Sequence, residues 1–398
     1  MIVFGARVKQ ARVLRRQGST QLAGSLGWRP DQLSKLEARM SAELAEGDVA
    51  RLGETLGFPL EFFTTEPVPR VVVDDLLFRT TKRTTKAEQV YLAEMMTALQ
   101  ELIMVATQEW PLPPVRLPLK RIDRGVEATA AAARAALRIP EGEPVGSLTM
   151  AAEKAGVVVV VRSRRFEDHD DGDGVPGERV AKEQHLGLSA WIGEFNEQPA
   201  VVTRAMDSWE RTRWTLAHEI GHLCLHRTSV VGPEAEEEAS AFASELLAPI
   251  EALRSELPAT ITLTGLLDLK LRWGVSIASL LFHLARNRVI DADKLKSLQR
   301  QLYNRPNPET GRTWGVTEPG WDARSPERPR MLMKWLEKTL GTQSPKLLAA
   351  LPQVVLPADV LTDLLAHQRL GPGAIEEPPT RRQGAPELAS VVSLASRR

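Results

Sequence analysis

The stretch that decides the fold is Glu210–His226, Glu-Arg-Thr-Arg-Trp-Thr-Leu-Ala-His-Glu-Ile-Gly-His-Leu-Cys-Leu-His. No Pro interrupts it, and Trp214, Leu216, Ala217, Ile220, Leu223 and Leu225 suit a largely buried helix. Inside it stands His218-Glu219-Ile220-Gly221-His222, an H-E-x-x-H pattern. Four residues advance an α-helix by about 400°, so His218 and His222 fall one turn apart on nearly the same face. Two imidazoles so spaced can bind one Zn²⁺. Glu219 projects beside them, where a carboxylate can take a proton from an attacking water. That combination is the chemistry of zinc peptidases. The pattern fixes only a few positions and arises by chance, so its neighbours must be weighed with it.

Glu236–Pro249 follows at short range and reads as a second, acidic helix, started with the help of Pro233 and stopped with that of Pro249. Ala239, Phe242, Ala243, Leu246 and Leu247 give it an apolar stripe at spacings of three and four. A carboxylate near its start can reach the metal and complete a two-His, one-Glu site with an open position. Upstream, Gly156–Val161 is an unbroken β-branched run, the mark of a buried strand. Leu186–Gly193 and Pro199–Arg204 read as two more strands. The strand carrying Ser189 and Trp191 is expected at a sheet edge beside the metal helix, where it either binds an extended peptide by strand addition or is an ordinary edge. Asp168, Asp170, Asp171 and Asp173 do not follow the order of a calcium loop, so that segment reads as a mobile loop.

Residues 145–288 resemble the ImmA/IrrE family of zinc metallopeptidases. The resemblance rests on R-x-R-W-T-L-A-H-E-I-G-H-L-C-L-H followed by E-x-x-A-S-x-F-A-S-E-L-L-A-P. It implies a mostly helical, minimal gluzincin-like fold with a small β-sheet. It also implies Zn²⁺ as cofactor, His218 and His222 as ligands and Glu219 as general base. Glu236, three residues before Ala239, matches the third ligand ahead of its rival Glu238. Ser240 stands where the family often has Asn or Asp. His226 lies a further turn along, and three consecutive turns do not converge easily on one tetrahedral ion, so it reads as a supporting residue. The longer metzincin pattern fails at Leu225 and Thr228. Cys224 and His283 read as packing.

Residues 1–66 read as five short helices. Ser19–Leu26, capped by Ser19 and closed at Gly27, and Pro30–Ala38 have helix-turn-helix proportions. From Arg7 to Arg39 there are eight Lys/Arg against Asp31 and Glu37, a local excess that attracts phosphates. Arg7–Phe63 resembles the Cro/C1-type (XRE) helix-turn-helix family through R-V-K-Q-A-R-V-L-R, L-A-x-x-L-G, D-Q-L-S-K-L-E and A-R-L-G-E-T-L-G-F-P-L-E-F-F. The resemblance implies operator DNA as a partner, with Ser19, Arg29, Asp31, Gln32, Ser34 and Lys35 on or beside the reading surface. The family's usual Leu-Thr-Gln entry to the second helix is replaced here by Gln17-Gly18-Ser19, so the phosphate contact made by that Gln must be remade.

The 398 residues suggest two to three domains. The expected division is a DNA-binding bundle over 1–66, a helical linker over 67–144, the peptidase over 145–290, a helical region over 291–370 and a disordered tail over 371–398. Lys plus Arg and Asp plus Glu are each 51, so overall charge selects no partner. A single cysteine excludes an internal disulfide framework and suits a reducing cytoplasm. No signal peptide and no run of about 20 apolar residues is found, so no membrane partner is expected. The fold class expected is α+β. The function expected is a regulatory zinc endopeptidase that cleaves a protein, often a transcriptional repressor in this family, with homodimerisation open. The rival reading is a non-proteolytic regulator whose zinc domain senses a ligand or partner.

Overall fold

The computed structural model describes residues 1–77, 85–118, 120–122, 125–162, 187–227 and 232–368. The acidic segment around Asp168 and the tail from 371 lie outside them.

The chain begins with β1 (Ile2–Phe4), α1 (Gly5–Leu14), α2 (Ser19–Leu26), α3 (Pro30–Ala38), β2 (Ser41–Glu43), α4 (Glu46–Leu56) and α5 (Leu60–Thr64). Val8, Leu22, Leu33, Leu52, Phe62 and Phe63 are fully buried between these helices. Gly27 closes α2 in the left-handed conformation, with φ at 70°. Two expectations need correction. The bundle is not all helical, because β1 pairs antiparallel with β2, Ile2 opposite Glu43. Three-residue strands are too short to show a period of two. Ser19 does not cap α2 either: Gly18 holds the cap position without a side-chain bond, and Ser19 is already helical.

Next come β3 (Leu76–Leu77), α6 (Lys86–Ala106), α7 (Val126–Ala136), α8 (Leu148–Lys154), β4 (Val158–Arg162), β5 (Gly187–Ile192) and β6 (Gln198–Arg204). The helices α9 (Trp209–Leu225), α10 (Pro233–Leu247), α11 (Ile250–Glu256), α12 (Leu267–Trp273), α13 (Ile277–Arg286) and α14 (Ala292–Asn304) follow. The described chain closes with α15 (Met331–Leu340), α16 (Pro345–Leu348) and α17 (Ala358–Leu365). The result is an α+β architecture around one four-stranded sheet of order β3-β5-β6-β4, in which β4 runs parallel to β6 and the other pairs are antiparallel.

That sheet is covered on both faces, which explains the unbroken valines of β4. Val158 and Val160 face one core, shared with the N-terminal bundle, α6 and α15–α17. Val159, Trp191 and Val201 face the other, shared with α7–α14. The α6 helix is buried along most of its length, and Met96, Ala98 and Leu99 are fully covered. Packing therefore continues across the junctions expected at 66/67 and 290/291. The expected edge position of the Ser189 strand is corrected: β5 lies inside the sheet, with Leu76 opposite Ala190 and Leu77 opposite Ser189. The covering strand is two residues long and carries no periodic signal.

Candidate metal centre

The α9 helix starts at Ser208, whose hydroxyl accepts from the Arg211 backbone at 3.1 Å, and runs without a break to Leu225. It lies buried between the sheet and α10. The close approach of α10 depends on Gly221. A Cβ there would stand 3.0 Å from Phe242 Cδ1 and 3.2 Å from the Ala239 backbone. With no side chain at that point, the first turns of α10, launched by Pro233, reach over the histidine face of α9.

His218, His222 and Glu236 meet there, with one ligand atom from each within 4.8 Å of the others. The two Nε2 atoms are 3.1 Å apart. Glu236 Oε2 lies 3.3 Å from His218 Nε2, and Glu236 Oε1 lies 3.3 Å from His222 Nε2. Two imidazole nitrogens and a carboxylate form the donor set of a catalytic zinc site with one open position. Glu236 Oε1 is buried and without a hydrogen-bond partner. Converging lone pairs and an orphaned buried oxygen are what a cation would satisfy. Burial works to raise the Glu236 carboxyl, but the two histidines outweigh it and hold it down at about 2. Burial lowers His222 and favours the neutral ring that ligates.

Glu219 belongs to the same helix but faces the sheet. Burial pushes its carboxyl up to about 7, against the pull of His218 and of a hydrogen bond from Ser189. The Ser189 hydroxyl donates to Glu219 Oε2 at 2.8 Å, with Leu77 O a longer alternative at 3.3 Å. Ser189 is thus fully buried against Glu219, not offered to a peptide. Trp191 is buried as well, its Nε1 donating to Leu223 O at 3.2 Å. Gly187 is the place where β5 can close on the helix: a Cβ there would fall 2.8 Å from Glu219 Oε1. The sequence carried no sign of the Ser189–Glu219 bond, because the partners are 30 residues apart on different elements.

The remaining residues fall outside the cluster. Glu238, the rival third ligand, accepts instead from His226 Nε2 at 3.1 Å and from Arg121 at 2.5 Å. Ser240 Oγ lies 3.4 Å from His218 Nδ1. Trp214 stacks on His218 with ring centroids 5.0 Å apart. His283 is buried and contacts Ala248 O at 3.0 Å, and Cys224 is buried, which pushes its thiol up. A cavity of about 740 Å³ opens over the cluster, walled by Trp214 and Phe282 and rimmed by Arg286.

Arg29, Asp31, Gln32, Ser34 and Lys35 are exposed along α3, opposite the buried Leu33 and Leu36, while Ser19 is half-buried. Asp31 pairs with Lys35 at 3.1 Å and Arg29 at 3.5 Å. The basic excess counted in the sequence is partly compensated, by Glu37 within the segment and by three acids from elsewhere. Arg7 pairs with Glu101, Arg12 with Glu37, Arg15 with Asp359 and Arg16 with Glu88. Among the described residues, no helix is long and apolar enough to cross a membrane.

Residues 152–285 match the family model described as the IrrE N-terminal-like domain, a peptidase family. The match spans the cluster, Glu219, Ser189 and α10; β3 and Arg121 lie outside it. No curated protein matches the chain. A metallopeptidase domain of the ImmA/IrrE type is what this match supports.

Proposed function

We propose that the protein is a zinc-dependent endopeptidase in which His218, His222 and Glu236 hold the ion and Glu219 is the general base. The observation that carries this is the convergence of three donors from α9 and α10 beside a buried, protonatable Glu219. Zinc at that position would supply Lewis acidity, polarising a carbonyl and easing loss of a proton from water. Glu219 would take that proton and return it to the leaving amine, and a carboxyl tuned close to neutrality suits both transfers. Ser189 fixes the carboxylate by donating to one oxygen, leaving the other free to exchange the proton. Trp214 and Phe282 offer an apolar wall for a substrate side chain, and Arg286 a cation at the rim.

The substrate in this reading is another protein, with a transcriptional repressor the class suggested by the family resemblance. The N-terminal bundle would bring the enzyme to operator DNA through Arg29, Gln32 and Lys35, which are exposed on one helix. The internal pairing of four arginines argues that any such contact draws on α3 more than on α1. A second reading, a non-proteolytic regulator that senses a ligand at the zinc site, is favoured by one feature. The bundle is tied to α6 and α17 by Arg7–Glu101 and Arg15–Asp359, so a change in the core can reach it.

The test is Glu219→Gln in the full chain, co-expressed with repressors encoded beside it. Zinc should stay bound while cleavage of the repressor falls by at least about a hundredfold, the usual scale for losing a general base. Cleavage at the wild-type rate would remove Glu219 from the mechanism. Zinc binding without any cleaved partner in the wild type would favour the sensor.

A further inference from the structure

The histidine series of α9 does not stop at the cluster. His222 Nδ1 lies 3.0 Å from His226 Nδ1. His226 Nε2 lies 3.1 Å from Glu238 Oε2, and Glu238 Oε1 accepts from Arg121 Nη1 at 2.5 Å. His226 is 4 % exposed, so its ring cannot choose water instead. It sits at the C-cap of α9, where the backbone leaves helical geometry at φ −123° and ψ 24°.

We propose that His226, Glu238 and Arg121 form a positioning relay that holds His222 as a metal ligand, an inference that rests on the metal-centre reading above. The hydrogens follow from one constraint. A ring nitrogen that gives its lone pair to an ion carries no hydrogen. The Nε2 of His222 faces His218 Nε2 and Glu236, so the His222 hydrogen sits on Nδ1. That Nδ1–H donates to His226 Nδ1, which must then be bare. The hydrogen of a neutral His226 consequently sits on Nε2 and donates to Glu238. Each of the three contacts then has one donor and one acceptor, and the chain ends on an ionised carboxylate neutralised by a guanidinium.

Two effects on His222 follow. Its ring is held against rotation, and electron density passed along the chain makes Nε2 a better donor. Among the described residues, the contact on the far nitrogen of His218 is Ser240 Oγ, at the longer distance of 3.4 Å. The relay also gives separate places to the two residues that compete with the ligand set. His226 cannot share the ion without breaking the Nδ1–Nδ1 bond, since it faces the wrong side of His222. Glu238 stays with His226 and Arg121, while Glu236, two residues earlier, takes the ion. Arg121 lies outside residues 152–285, so the segment before the family-matched region contributes to the site.

The experiment measures zinc affinity of the full chain by competition with a chromophoric chelator, independent of any substrate. His226→Leu removes the acceptor and should weaken zinc binding by about 10- to 100-fold, the usual cost of losing a partner behind a ligand. His226→Asn offers an amide oxygen close to the Nδ1 position and should recover most of that loss. Glu238→Gln, at the partly exposed end of the chain, leaves the packing in place and should weaken binding by less than His226→Leu. Nitrogen NMR of the zinc-loaded protein should find the hydrogen on Nδ1 of His222 and on Nε2 of His226. Unchanged affinity in both His226→Leu and Glu238→Gln, or the opposite tautomers, overturns the relay and leaves the metal centre standing. A wild-type chain that takes up no zinc overturns both.

Discussion

Three glutamates on adjacent turns and helices differ in ionisation for identifiable reasons. Glu236 is held down at about 2 by His218 and His222, against its burial, and so is a carboxylate at neutral pH. Glu219 is pushed up to about 7 by burial, which outweighs the pull of the His218 ring and of the Ser189 hydroxyl. Such a split between a permanent ligand and a group able to exchange a proton is what the proposed roles require. Glu245, further along α10, is also pushed up to about 7 by burial, yet it has no part in the chemistry. It accepts from the Ile250 backbone at 3.2 Å and lies 3.6 Å from His283, which burial keeps down at about 4 and therefore uncharged at neutral pH. Its folded value is above the ordinary 4.5, so across that interval the native state keeps a proton that the unfolded chain has released. The stability that Glu245 contributes then falls as pH rises from about 4.5 to about 7, opposed by His283, whose lowered value acts in the other direction. Glu245→Gln keeps the acceptor for Ile250 and removes the charge. Its melting temperature should decline less than that of the wild type between about pH 5 and pH 8. Parallel declines would show that Glu245 does not cause this part of the pH dependence.

At the scale of elements, the site is set by how closely three of them meet. Gly187 lets β5 close on Glu219, and Gly221 lets α10 close on α9. Gly221→Ala adds a methyl within 3.0 Å of the Phe242 ring and 3.2 Å of the Ala239 backbone. The ring can give way but the backbone can do so only by moving α10, which should cost about 1–3 kcal/mol in denaturant unfolding. The same displacement should weaken zinc binding, because Glu236 rides on the first turns of α10. Wild-type affinity and stability in Gly221→Ala would mean that this contact does not hold the helices in place. The sequence revealed α2, α3, α9 and α10 because each is long enough to repeat its apolar spacing, and β4 because five β-branched residues stand together. It did not reveal β1, β2 or β3, whose pairings join chain segments about 40 or more residues apart through strands of two or three residues. For the same reason, His226 was legible as an i, i+4 continuation of the series, but its partners Glu238 and Arg121 were not.

At the scale of the whole molecule, local charge in the sequence was a poor guide to surface charge. Arg7 is fully buried and bridges α1 to α6 through both oxygens of Glu101, at 2.6 and 2.8 Å. Arg15 and Arg16 reach Asp359 and Glu88, acids that a count over residues 7–39 does not include. Core packing follows the same course, running from the N-terminal bundle through α6 to one face of the sheet, while the metal helices cover the other. The cluster therefore draws its donors from elements fixed by the second of these assemblies, on the sheet face away from the N-terminal bundle. An ion bound by the folded chain alone stabilises it in proportion to its affinity and concentration. The most direct measurement is metal content by elemental analysis of the intact chain after saturation with zinc and removal of the excess. One zinc per chain is predicted for the wild type, with loss of that zinc in His222→Ala and Glu236→Ala variants that keep their helical signal. Zinc retained in full by both variants, or absent from wild-type protein that hydrolyses a substrate, would contradict the account.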